Sequence, residues 1–217
     1  MAWLSITSVL LLSIICTSSS MAERVLVRTN QSTSTAYILA SCRRARYPSL
    51  CFKCLSSMAR RGTTIQTPHQ LAQAALAVAL QRAVRTRDYM VNVSRELDAK
   101  RPKVHDYQAI RDCTDQLNDG VYQMSQSIIE LRRITQRQPP AVGRDFFFLM
   151  SNVETWVSTT ITDAMMCVEQ FPGRRTGKVK ATIKGKVLNV AMTASNALYL
   201  FHSYASKYAA ARGMHMP

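Results

Sequence analysis

Four histidines, His69, His105, His202 and His215, are the side chains best placed to move protons or hold a metal near neutral pH. They stand far apart in the chain, with no Ser, Asp or Glu spaced around them as a relay. A di-iron centre in a helical bundle needs Glu-x-x-His on two helices. The residues three after Glu23, Glu96, Glu130, Glu154 and Glu169 are Leu26, Ala99, Arg133, Val157 and Pro172, and none is His. G-x-S-x-G, H-E-x-x-H and P-loop patterns do not occur. Cys51-Phe-Lys-Cys54 has the spacing of a redox pair or of half a zinc site. The redox use needs a βαβ setting, whereas the surrounding sequence reads as helix, and the zinc use needs a fourth ligand, yet no H-x-x-x-H follows. No catalytic set, metal or cofactor is expected, so the chemistry to look for is binding.

Two sequons, Asn30-Gln-Ser32 and Asn92-Val-Ser94, lack Pro at the middle position. Asn30 falls in a polar N-terminal stretch and is a candidate for glycosylation. Asn92 falls on a helix, where modification requires an outward face.

The remaining cysteines take their meaning from the N-terminus. Leu4 to Cys16 is a short apolar run, followed by Thr17-Ser-Ser-Ser-Met-Ala22. Ser20 and Ala22 suit the −3 and −1 positions of a signal-peptidase site, so residues 1–22 read as a signal peptide. The run is too short for a membrane span, and no membrane association is expected after cleavage. Secretion into the extracellular space is the resulting expectation. Cys16 then leaves, and Cys42, Cys51, Cys54, Cys113 and Cys167 mature in an oxidising compartment. Five thiols allow fifteen ways to form two bonds and leave one free (five choices of the spare, three pairings of the rest). Cys42 and Cys51 flank Tyr47-Pro48, where a chain reversal is plausible because Pro disfavours continued helix before it. Cys113 and Cys167 each lie midway along a predicted helix, so a bond between them would staple two helices. Cys54 is then the spare, partly buried thiol.

The elements that must position these residues are helical throughout. Residues 23–34 read as a flexible segment, and residues 35–62 as two short helices around Tyr47-Pro48, a hairpin. Thr67-Pro68 marks a helix start, Thr67 as N-cap and Pro68 at the first helical position. Leu76, Leu80, Ala83, Met90 and Leu97 then keep helical spacing until Pro102. A second helix runs from about His105 to Arg137, with Ile110, Cys113, Leu117, Val121, Met124, Ile128 and Leu131 at steps of three and four, and Pro139-Pro140 closes it. A third carries Leu149, Val153, Trp156, Thr160, Ala164 and Cys167 on one stripe and stops at Phe171-Pro-Gly173. A fourth carries Val179, Ile183, Val187, Val190, Ala194, Ala197, Phe201, Tyr204 and Tyr208. Four amphipathic helices of roughly 25–35 residues with short connections predict an all-α fold, an up-down-up-down four-helix bundle over residues 67–210. The Met and aromatic stripes are its core.

Composition narrows the function further. The chain has 217 residues, with 28 Lys+Arg against 13 Asp+Glu, a formal charge of +15. At 47% hydrophobic it can bury a core, which excludes full disorder. The basic excess is scattered, from Arg43, Arg44 and Arg46 to Lys184 and Lys186. With no nucleic-acid motif in a secreted chain, nucleic acid is not the expected partner. A polyanion of the secreted compartment is the better electrostatic companion, through an attraction that salt would weaken.

The cysteine frame resembles that of a known family. Cys42-Arg-Arg-Ala-Arg-Tyr-Pro-Ser-Leu-Cys51 resembles the first motif of the plant invertase and pectin methylesterase inhibitors, which pair two cysteines around Tyr-Pro. Ala109-Ile-Arg-Asp-Cys113 with Leu117-Asn-Asp-Gly-Val121 resembles their third-cysteine helix, and Glu154-Thr-Trp-Val-Ser-Thr-Thr-Ile-Thr162 up to Cys167 their fourth. Val187-Leu-Asn-Val190 and Thr193-Ala-Ser-Asn-Ala-Leu198 resemble the last helix. The resemblance spans about residues 35–208. It implies an inhibitor domain over 35–210, a disulfide-closed N-terminal helical hairpin on a four-helix bundle, and the pairs Cys42–Cys51 and Cys113–Cys167.

The resemblance also implies a non-catalytic protein of the apoplast and cell wall that blocks the active-site cleft of pectin methylesterase in a non-covalent one-to-one complex. The alternative target is an acid invertase, and in the cell-wall setting that the resemblance implies, polyanionic pectin is the electrostatic companion of the basic surface. The 154–162 stretch is more similar to the esterase inhibitors. The Pro-Lys-Phe frequent in invertase inhibitors has its nearest match in Pro102-Lys103-Val104, which lacks the ring. Carried over by position, the implied target contacts are Asp115 and Asp119 after the third cysteine, and Thr162, Met166 and Glu169 around the fourth. Met166 stands where the family usually has Thr, and Glu169 where it often has Asp. Asp112, Asp115 and Asp119 share one helical face at i, i+3 and i+7. They either neutralise Arg and Lys on adjacent helices or form an acidic ridge that steers a basic partner.

Overall fold

The computed structural model describes residues 31–98, 104–136, 142–171 and 177–214. The signal segment 1–22, Asn30, His215, and the expected breaks at Pro102, Pro139-Pro140 and Pro172-Gly173 lie outside the described residues. Among the described residues there are six helices and no strand. Helix α1 covers 31–42, α2 Pro48–Arg60, α3 Pro68–Asp98, α4 Val104–Gln136, α5 Gly143–Glu169 and α6 Lys178–Ala210. The chain is already helical at residue 31, so residues 31–34 belong to α1 and not to a flexible segment ending at 34. Ser34 is the reason: it is buried, and its hydroxyl accepts a hydrogen bond from the backbone N–H of Ile65 at 3.3 Å.

Local chemistry sets the helix ends. Pro48 starts α2, where its missing N–H costs nothing. Gly62 ends the hairpin at φ +93°, a conformation that side chains with a Cβ rarely adopt. At the start of α3, Thr67 Oγ1 accepts from the Gln70 N–H at 3.2 Å, and Gln70 Oε1 accepts from the N–H groups of Gln66 and Thr67 at 2.9 and 3.2 Å. This reciprocal capping satisfies three donors that the first turn leaves without carbonyl partners.

In the bundle, α4 packs on α3 and α5, and α6 packs on the same two helices, which closes a four-membered ring. Its core has two parts. One is lined by Met90, Ile110, Cys113, Leu117, Cys167, Ile183 and Val187. The other surrounds Phe146, Phe201 and Tyr204 and receives the hairpin through Ile38, Cys42, Cys51 and Leu55. Phe146 stacks on Tyr208 with ring centroids 4.9 Å apart. The hairpin is tied to the bundle by one buried amide. Asn196 on α6 donates from Nδ2 to the Tyr47 carbonyl at 3.0 Å and accepts from the Tyr47 N–H at 2.9 Å. A polar side chain so placed gives the hairpin one seat on the apolar surface.

Two disulfides fix what packing leaves adjustable. Cys42–Cys51 closes the hairpin with Cα atoms 5.7 Å apart, and Cys113–Cys167 joins α4 to α5 with Cα atoms 4.8 Å apart. Cys54 is free and half-buried. In each closed loop the bond removes conformations from the unfolded chain rather than adding a contact to the folded one. The double substitution Cys113→Ala/Cys167→Ala is expected to lower stability by about 2–5 kcal/mol while far-ultraviolet circular dichroism keeps its helical amplitude. Urea unfolding of the variant beside the wild type measures this, and an unchanged midpoint would refute it.

Candidate protein-binding surface

The α4–α5 pair is aligned by a seam of small and polar residues. Seven residues along α4 from Cys113 stands Gly120, and seven back along α5 from Cys167 stands Thr160. These two also meet: a Cβ built on Gly120 would lie 3.3 Å from Thr160 Cγ2. Thr160 Oγ1 is 3.2 Å from Gln123 Oε1 and 2.9 Å from the Trp156 carbonyl. Further along, the buried Glu130 accepts from Asn152 Nδ2 at 2.8 Å through one oxygen and pairs with Arg133 at 2.9 Å through the other. A spacing of seven repeated on antiparallel helices keeps the same faces in register along the pair. The outward faces are therefore in register as well.

Each residue that the sequence proposes for target contact is exposed. Asp119 and the half-buried Asp163 face each other across the pair, closely enough that their charges interact. Burial, and then the Asp119 carboxylate, push the Asp163 carboxyl above its ordinary value of 3.8. Met166 is 51% exposed. Glu169 is exposed at the last turn of α5, where the side chain of the next residue, Gln170, reaches across to α4: its Nε2 donates to Gln116 Oε1 at 3.5 Å. Thr162 is exposed, but its hydroxyl donates back to the Ser158 carbonyl at 3.1 Å, so it offers a partner mainly an acceptor and a methyl group.

Asp115 is set apart from this group. It lines a hollow of about 170 Å³ between α3 and α4 together with Arg95 and Arg111. Both arginines line this hollow with it, and neither forms an ion pair with it. No described basic side chain forms an ion pair with Asp112, Asp119 or Asp163; Asp112 instead accepts from Gln108 Nε2 at 2.6 Å. Asp112, Asp115 and Asp119 are thus all without an ion pair among the described residues.

Three further exposed apolar residues on these helices are not among those the sequence singles out. Tyr122, seven residues after Asp115, is 64% exposed on α4. Phe148 is 65% exposed and Met165 39% exposed on α5. A helical wheel extended by seven from Asp115 finds Tyr122, since residues seven apart share a face. Phe148 gives no such signal: it sits within Phe146-Phe147-Phe148, and only the packed structure shows that Phe146 is the buried ring. Exposed Tyr122 and Met166 on helices that carry carboxylates without an ion pair among the described residues have the composition of a protein-binding surface. The sequon residue Asn92 is exposed on α3, the outward orientation that modification requires. Among the described residues no group of His, Cys, Asp and Glu is arranged to hold a metal, and no helix is long and apolar enough to cross a membrane.

The raised Asp163 value carries a sign. Its protonated form is favoured by the fold, so its contribution is fully present below pH 3.8 and is lost as pH rises through the raised value. Asp163→Asn keeps the shape and removes that loss. Its stability advantage over wild type should grow from near zero at about pH 3 to a plateau by about pH 7, read from paired urea midpoints, and a pH-independent difference would refute the assignment.

The family model of the plant invertase/pectin methylesterase inhibitors matches residues 36–200. Pectinesterase inhibitor 9 of Arabidopsis thaliana is 38% identical over 200 residues, covering 92% of this chain and 93% of that protein. The 21 kDa protein of Daucus carota is 35% identical over 186 residues, covering 85% of this chain and 91% of that protein. The crystal structure of a mutant form of a pectin methylesterase inhibitor from Arabidopsis shares the fold, with a TM-score of 0.55 at 15% identity over 74% of this chain and 92% of its own. The cysteine pairs, the hairpin-on-bundle architecture and these matches agree, and the chain belongs to the plant invertase/pectin methylesterase inhibitor family.

Proposed function

We propose that this chain is a secreted inhibitor of pectin methylesterase that lays the α4–α5 face over the enzyme's active-site cleft in a non-covalent one-to-one complex. The observation that carries this reading is the stapled α4–α5 pair. It presents Asp112, Asp119 and Asp163 without described cationic partners, next to exposed Met166 and Tyr122, on a chain that is otherwise strongly basic. Relatives named as pectinesterase inhibitors point to the esterase as the target.

The physical roles divide between the residue types. Met166 and Tyr122 supply apolar area that loses water on contact, which is where most binding energy arises. The carboxylates set orientation and speed encounter with a cationic rim. The Cys113–Cys167 disulfide holds the face in its bound shape beforehand, so little ordering is required on association. The two disulfides support an oxidising, extracellular location, the apoplast, after removal of residues 1–22. Glycosylation at Asn92 would fall on α3, one helix away from the proposed contact face.

Titration of the mature chain into a pectin methylesterase assay at mildly acidic pH tests the reading. Activity should fall to near zero at one equivalent when the enzyme is well above the Kd. Asp119→Lys should raise the inhibition constant at least about tenfold with unchanged circular dichroism, since it reverses a charge at the contact. Unchanged esterase activity at micromolar inhibitor, with an acid invertase inhibited instead, would move the target to the invertase. Equal potency of Asp119→Lys would remove Asp119 from the interface.

A further inference from the structure

A second concave surface lies away from the α4–α5 face. Helices α2 and α3 enclose a hollow of about 380 Å³. Lys53, Ser57 and Arg61 line one wall at steps of four, and Gln81, Arg82 and Arg85 line the other. The lining holds no acidic and no aromatic side chain. No described carboxylate forms an ion pair with any of its four cations. Arg61 donates to Ser57 Oγ at 2.7 Å, and Arg82 reaches Cys54 Sγ at 3.9 Å, so both guanidinium groups turn along the walls of the hollow. Arg61, just past the end of α2, stands eight positions after Lys53, a row about 12 Å long at the helical rise.

We infer that this hollow binds a short stretch of a carboxylated polysaccharide, an oligouronate. Four cations on two fixed walls concentrate positive potential in a concave space, where it is screened less than on a convex surface. A linear polymer with one carboxylate per sugar places successive charges along such a row. Its hydroxyls match Ser57 and Gln81, which can donate and accept. Single-stranded nucleic acid would want aromatic platforms for its bases, and the walls have none. A membrane surface would want a protruding apolar rim, and this site is recessed and polar. The choice of a uronate rests on the proposed function, because ester hydrolysis of pectin bares such carboxylates. Binding here would hold the inhibitor on the polymer where its target works.

Cys54 lines the same hollow and serves as a reporter. Trigalacturonate is titrated into the mature chain while iodoacetamide labelling of Cys54 is followed by peptide mass mapping. At ten times the Kd, bound ligand should slow the labelling about tenfold. The fully methyl-esterified trimer should not protect. Arg82→Gln/Arg85→Gln should weaken binding, followed by calorimetry, at least about tenfold; Lys184→Gln/Lys207→Gln, an equal loss of charge on α6, should change it less than about twofold. Inhibition of the esterase should survive the Arg82/Arg85 change, so a failure here and a failure of the proposed function give different results. Unaltered Cys54 labelling, equal affinity for the ester, equal weakening by the α6 pair, or tighter binding of a single-stranded oligonucleotide of matched charge would each overturn the inference.

Discussion

The close approach of α4 and α5 is the constraint on which the rest depends. Two backbones can come within reach of a disulfide at Cys113–Cys167 only if nothing bulky intervenes along the same seam. Gly120 meets that requirement opposite Thr160. A larger side chain there would lift the helices apart and rotate their outer faces. The outer faces carry Asp119, Asp163 and Met166, so the seam sets the geometry of the proposed contact surface without touching a partner. The buried Glu130, satisfied by Asn152 and Arg133, fixes the far end of the same pair.

The hairpin solves a different problem. A four-helix bundle ends in exposed apolar side chains, and here α1 and α2 cover one part of the core with Ile38, Cys51 and Leu55. The cover is short, so its own packing is modest. Cys42–Cys51 limits its unfolded freedom, and the Asn196 amide gives it one position. Covering that end also creates the basic hollow, since α2 brings Lys53 and Arg61 alongside α3. One appendage thus protects the core and adds a surface that the bundle alone would lack.

Much of this was legible in the chain itself. Steps of three and four between apolar residues gave the four long helices, because the helical period leaves a direct mark on sequence. Thr67-Pro68 marked a helix start because capping is local chemistry. The start of α1 at residue 31 is not legible locally, since Ser34 is polar and its burial depends on Ile65, thirty-one residues away. The acidic residues were visible as a set, but their division was not. Whether Asp115 lies near Arg95 or Asp119 near Asp163 depends on which helices pack side by side. Phe148 escaped for the same reason, since exposure of a large apolar residue is a property of packing, whereas Tyr122 was within reach of a helical wheel carried on from Asp115. The basic hollow was seen only as scattered charge, because its two walls come from separate helices.

The central claim is that a rigid, stapled helix pair docks onto another protein. Hydrogen–deuterium exchange of the intact chain, alone and with an equivalent of pectin methylesterase, tests it most directly. The account predicts slowed exchange in peptides covering residues 112–126 and 155–169, with α1, α2 and the outer face of α3 unchanged. Slowing confined to α2 and α3, or none in a complex shown to form, would contradict it.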